Sequence, residues 1–139
     1  MIRVINLNTE RVPGVVPLGA VYVGRVMHRK KLRGSALGNP HKPDARQGVT
    51  RDMCISAFAA DLDAAITRVG GHRAGTILAK PTARQERMVA ELDRLTLRYL
   101  EEDELVLACW CHPQACHANV IATHIENRVS AIRMRMGVK

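Results

Sequence analysis

Apolar positions along the chain change their period several times, and each change marks an element. Residues 2–7 (Ile-Arg-Val-Ile-Asn-Leu) are short, β-branched and apolar, which predicts a strand. Residues 8–19 carry Asn8, Pro13, Gly14, Pro17 and Gly19 and read as a loop. Val21-Tyr22-Val23 makes a second strand, stopped at Gly24. From Arg25 to Gly48 no period survives, and Gly34, Gly38, Pro40, Pro43 and many basic residues fill the stretch. An irregular run of this length inside a small domain is usually functional or mobile.

Helical spacing follows. Ile55, Phe58, Ala59, Leu62, Ala65, Ile66 and Val69 lie three and four apart, as on one helical face. Thr50 or Asp52 caps its start, and Gly70-Gly71 is expected to end it. Residues 70–81 then form a linker. Thr82-Ala83-Arg84-Gln85 has the form of a capping box, opening a second helix with Met88, Val89, Leu92, Leu95 and Tyr99 inward. Glu101–Glu104 breaks that pattern. Leu105 to Cys111 is almost wholly apolar, as in a strand covered on both faces. A third helix begins after Pro113, with Val120, Ile121 and Ile125 on one side and Cys116 in its first turn.

Strands separated by helices imply an α/β fold with a parallel or mixed sheet. The expectation is one Rossmann-like domain over residues 1–139, a three-layer sandwich with helices on both sheet faces. Ligand sites in such sheets lie beyond the carboxyl ends of the strands.

Composition narrows the function. No apolar run approaches the ~20 residues that span a bilayer, and the start, Met1-Ile2-Arg3-Val4, does not have the form of a signal peptide. A cytoplasmic protein with no membrane partner is therefore expected. Only Tyr22, Phe58, Tyr99 and Trp110 are aromatic, too few for a base-stacking platform. Charge changes the picture more. Residues 1–52 hold ten Lys/Arg against three acids, so most of the net +8 sits in the first third of the chain. Such a cluster attracts phosphate, of a nucleotide or of a nucleic acid, or serves only as a solvated loop.

Three of the four cysteines fall in Cys109-Trp110-Cys111-His112-Pro113-Gln114-Ala115-Cys116-His117. Cys109 and Cys111 share one face of a strand, with Trp110 opposite. Cys116, at a helix start, would have its pKa lowered by the free amides there. Three readings stay open. Cys109, Cys111, Cys116 and His117 (or His112) form a metal site, for which zinc suits the thiolate and imidazole set. Alternatively Cys116 is a reactive thiol with His117 as its base. In the third reading the cluster only braces the strand end. A disulfide is not expected in a reducing compartment. Cys54 reads as a small packed side chain, and His28, His41 and His72 as isolated loop histidines. His124 falls two turns beyond His117 on the same helical side.

The second constellation is Arg33-Gly34-Ser35-Ala36-Leu37-Gly38-Asn39-Pro40-His41. Gly34 and Gly38 permit close backbone approach, Ser35 and Asn39 offer hydrogen bonds, and Arg25 and Arg33 add charge. These are candidates for a phosphate cradle. The Gly-Lys-Ser/Thr end of a P-loop is absent.

Val21-Tyr22-Val23-Gly24-Arg25, Gly34-Ser35-Ala36-Leu37-Gly38-Asn39-Pro40 and the Leu107–His117 segment occur in that order. Together they resemble a small bacterial and phage family catalogued as a domain of unknown function, number 4326. The resemblance covers most of the chain and implies a compact α/β domain in a phage or prophage setting, with no established activity. His41 departs from the aromatic or apolar residue usual after Asn-Pro, and the linker 70–81 and Glu101–Glu104 replace a shorter approach to the strand. Ala118 stands where more distantly similar proteins carry arginine after Cys-His. The combined expectation is a protein that binds a nucleotide or nucleic-acid phosphate beside a Cys/His metal or reactive-thiol centre. The alternatives are a non-catalytic basic module that binds nucleic acid or protein, and a thiol redox protein.

Overall fold

The computed structural model of the chain describes residues 1–10, 12–27, 31–110 and 116–137. Strands β1 (Ile2–Asn6), β2 (Val21–Tyr22) and β3 (Leu105–Cys109) form one sheet in the order β1-β3-β2. Both neighbours run parallel to β3, with Ile2 opposite Leu105 and Val21 opposite Leu107. The ladder extends one residue past each edge strand. Leu7 N–H donates to Cys109 O at 2.9 Å, and Val23 N–H to Ala108 O at 3.1 Å. The near-continuous apolar run at β3 thus belongs to the central strand, which has partners on both edges.

Helix α1 (Arg51–Arg73) starts from Thr50, whose Oγ1 accepts from Met53 N–H at 3.2 Å. Helix α2 (Ala83–Glu102) opens on the expected capping box, both reciprocal bonds of Thr82 and Gln85 being present. It ends at Asp103, in the left-handed region at φ 61°. Helix α3 spans His117–Arg135.

Two boundaries differ from the sequence reading. Gly70-Gly71 does not end α1, which runs on to Arg73. The left-handed residue is Gly75, at φ 76°. Thr76 and Ile77 N–H then return to Gly71 O, and Ile77 lies where a Gly71 side chain would be. A helical glycine costs only about 1 kcal/mol against alanine, so tertiary packing overrides the pair as a stop signal. Cys116, in turn, is the N-cap of α3 rather than a first-turn residue.

The sheet's two faces are served differently. Ile2, Val4, Val21, Leu105, Leu107 and Cys109 share one core with Phe58 and Leu62 of α1, Leu92 and Leu95 of α2, and Ile121 and Ile125 of α3. On the other face Arg3, Ile5 and Val106 border a hollow closed by Glu10, Pro17, Leu18 and Ala20. Among the described residues, then, the helices pack on one face and the 8–20 loop attends the other. The α/β class with a parallel sheet holds; helices on both faces are not what these residues form. Arg3 and the two-residue β2 leave the second face little apolar area against which to pack a helix. Among the described residues no helix is long and apolar enough to cross a membrane.

Candidate functional site

Parallel strands point their carboxyl ends the same way, and here those ends open into a cavity of about 220 Å³. Gly24 and Arg25 follow β2, and Cys109 and Trp110 close β3. Cys116 and His117 begin α3, while Arg51, Cys54 and Ile55 come from the start of α1. Asn39, His41 and Pro43 supply the remaining wall. Two helix N-termini therefore face one space, each carrying the positive end of its dipole.

The chemistry sits at the start of α3. His117 Nε2 is 2.6 Å from the Val23 carbonyl oxygen. A carbonyl only accepts, so Nε2 carries the proton. Burial, with Arg25 nearby, holds the imidazole below its usual pKa of 6.5 against the opposing pull of the Val23 bond. The ring is thus neutral near pH 7, and Nδ1 is left as an acceptor. Nδ1 lies 3.5 Å from Cys116 Sγ, so the thiol donates to it. Ala118 N–H points to the same sulfur at 3.5 Å, as the N-cap arrangement requires. Phe58 packs its ring against His117 edge-on, centroids 5.2 Å apart at 77°. Cys116 and His117 are thus hydrogen-bonded to one another.

Cys109, Cys116 and His117 all line the cavity, while Cys111 and His112 lie outside the described residues. Among the described residues no three His, Cys, Asp or Glu side chains gather as a metal site. His124 turns elsewhere, its Nε2 3.2 Å from Asp63 Oδ1.

Residues of the glycine loop divide. Arg25 and Asn39 border the cavity; Arg33, Gly34, Ser35 and Gly38 are not among its lining. The loop is a turn stitched to the end of β2. Ser35 N–H donates to Gly24 O at 3.0 Å, Gly38 N–H to Ser35 O at 2.9 Å, and Ser35 Oγ accepts from Leu37 N–H at 3.0 Å. A Cβ at Gly38 would lie 2.8 Å from Gly24 O, and one at Gly34 2.8 Å from Val26 N. These glycines admit neighbouring backbone. Asn39 is buried, its Nδ2 donating to Cys54 O at 3.1 Å and its Oδ1 accepting from His41 N–H at 3.0 Å.

The family model described as a domain of unknown function (DUF4326) matches residues 7–127, which include the whole cavity. The chain belongs to the DUF4326 family. No curated protein and no solved structure matches it. In this DUF4326 chain the sequence marked Arg51 only as one of a basic cluster, His41 as the end of the glycine loop and an isolated histidine, and Cys54 as a packed side chain; all three line the cavity. His41 looked isolated, since its partner Asp61 is twenty residues away. Arg51 and Cys54 do carry a signal, because both fall in the opening turn of a helix with a clear N-cap.

Proposed function

We propose that this cavity binds the phosphate end of a nucleotide-type ligand and that Cys116, with His117 as its base, is the reactive group beside it. One observation carries the reading: Arg25 and Arg51 border the same cavity as the Cys116–His117 pair. Among the described residues neither guanidinium has an ion pair with a carboxylate. Guanidinium forks match phosphate oxygens, and helix N-termini add partial positive charge to the same space. At about 220 Å³ the cavity is smaller than the ~300–1,000 Å³ of drug-sized pockets. That suits a phosphate with a small body or a chain terminus, and a duplex does not enter. His117 Nδ1 takes the proton as the Cys116 thiol ionises to thiolate, while Val23 O keeps the ring in register.

Trp110 is the only tryptophan and lines the cavity, so its fluorescence reads occupancy. Inorganic phosphate and adenosine monophosphate should perturb it saturably, and Arg25→Ala or Arg51→Ala should each weaken binding about tenfold, the scale of one charge-assisted hydrogen bond. Iodoacetamide should label Cys116 with phosphate slowing the labelling, and Cys116→Ser should abolish that signal. Absence of phosphate binding by the wild type would remove the reading.

A second reading is favoured by the Val23 bond, since metal-ligating histidines usually give their other N–H to a carbonyl or carboxylate. Cys109, Cys111, Cys116 and His117 would then hold zinc, which as a Lewis acid activates water or polarises a phosphoryl oxygen. Elemental analysis should find one zinc per chain, lost in Cys109→Ser; less than ~0.2 per chain, against the single ion of a four-ligand site, contradicts it.

A further inference from the structure

A second imidazole stands on the cavity wall, on a different element from His117. The Asn39 side chain spans Cys54 O and His41 N–H, which pins the start of this loop to the first turn of α1. His41 Nε2 lies 2.7 Å from Asp61 Oδ2, and Arg84 NH1 and NH2 approach the same oxygen at 3.4 and 3.3 Å. A carboxylate only accepts here, so Nε2–H is the donor and Nδ1 is the ring's remaining hydrogen-bonding atom. The side chain is about one-third exposed (37%), hence open to a ligand, and it borders the cavity alongside Arg25 and Arg51. A carboxylate–imidazole pair, itself clamped by a guanidinium, holds a ring for contact with something beyond it.

Resting on the phosphate reading above, we propose that His41, with Asp61 as its positioning residue, is the third anion contact of the cavity and selects a terminal phosphate monoester over a phosphodiester. In the bound state the ring carries both protons, Nε2–H on Asp61 and Nδ1–H on an anion oxygen. Arg25, Arg51 and His41 then offer three positive donors to one group. A monoester brings two charges and three terminal oxygens to meet them; a diester brings one charge and two. An internal nucleic-acid phosphate is therefore the poorer fit.

The test uses sulfate, a dianion that does not titrate near neutrality, and dimethyl phosphate as the diester, both read by Trp110 fluorescence. Sulfate should bind at least about tenfold tighter than dimethyl phosphate, and His41→Gln should weaken sulfate about tenfold, one charge-assisted contact, narrowing its margin over the diester. Asp61→Asn should narrow that margin in the same direction while leaving dimethyl phosphate little changed. If sulfate and phosphate both fail to bind the wild type, the phosphate reading falls and this proposal with it. If they bind but His41→Gln keeps wild-type affinity for sulfate, or the diester binds equally well, this proposal alone is overturned.

Discussion

His117 Nε2 donates to the Val23 carbonyl oxygen across 2.6 Å, joining the first residue of α3 to the end of β2. That bond selects the tautomer that presents Nδ1 to Cys116. It also makes the ring part of the fold, because burial keeps it neutral.

Stability should therefore depend on pH through His117. Its folded pKa is held below 6.5, with burial the largest cause. As pH falls through about 6.5, the unfolded chain takes up a proton that the folded chain resists. More protons bound when unfolded means that stability rises with pH in that window. The contribution is complete above the unfolded value and is lost as pH falls through the folded one. Urea midpoints should drop between pH ~7.5 and ~5.5 in the wild type, across the histidine range, and drop less in His117→Gln. Equal drops in the two proteins would contradict the assignment.

Two glycines should respond to alanine with opposite signs. Gly38 sits where a Cβ meets Gly24 O at 2.8 Å, so backbone has to shift, and Gly38→Ala should cost about 1–3 kcal/mol. Gly70 lies within α1 with nothing within 4 Å of a Cβ, and Gly70→Ala should stabilise by about 0.5–1 kcal/mol. Denaturant midpoints at constant m-value decide both.

Tyr22 braces the cavity from behind. Its hydroxyl donates to Arg25 O at 2.7 Å and accepts from Trp110 Nε1–H at 3.0 Å. Tyr22→Phe removes both bonds and should cost about 1–2 kcal/mol. Because Trp110 is the sole tryptophan, its emission should shift at once; an unchanged spectrum would mean that the indole is held by other contacts.

Phe58 is fully buried and packs edge-on against His117. Phe58→Ala should cost about 3–5 kcal/mol. Phe58→Leu should fold well yet loosen the imidazole, so that iodoacetamide labelling of Cys116 changes more than the melting temperature does. Labelling that merely tracks stability would count against a positioned pair.

What the sequence determined by itself is what residues near one another in the chain decide. The α2 start was legible because Thr82 and Gln85 cap each other within one turn, and its buried face because 3.6-residue periodicity needs no partner to be seen. The apolar run from Leu105 to Cys111 announced a strand covered on both faces for the same reason, and β3 takes Leu105–Cys109 of it. Only the tertiary structure decided that Gly75 rather than Gly70-Gly71 turns the chain, since Ile77 packing over Gly71 outweighs a small helical penalty. It also decided that Ser35 and Gly38 serve a turn, while Arg51 and Cys54 reach the cavity beside Arg25 and Cys116. It also brought His41 to Asp61 of α1, which Arg84 of α2 contacts in turn. Such groupings depend on parallel strands ending together and on helices packing across them, contacts between distant residues that no local pattern records.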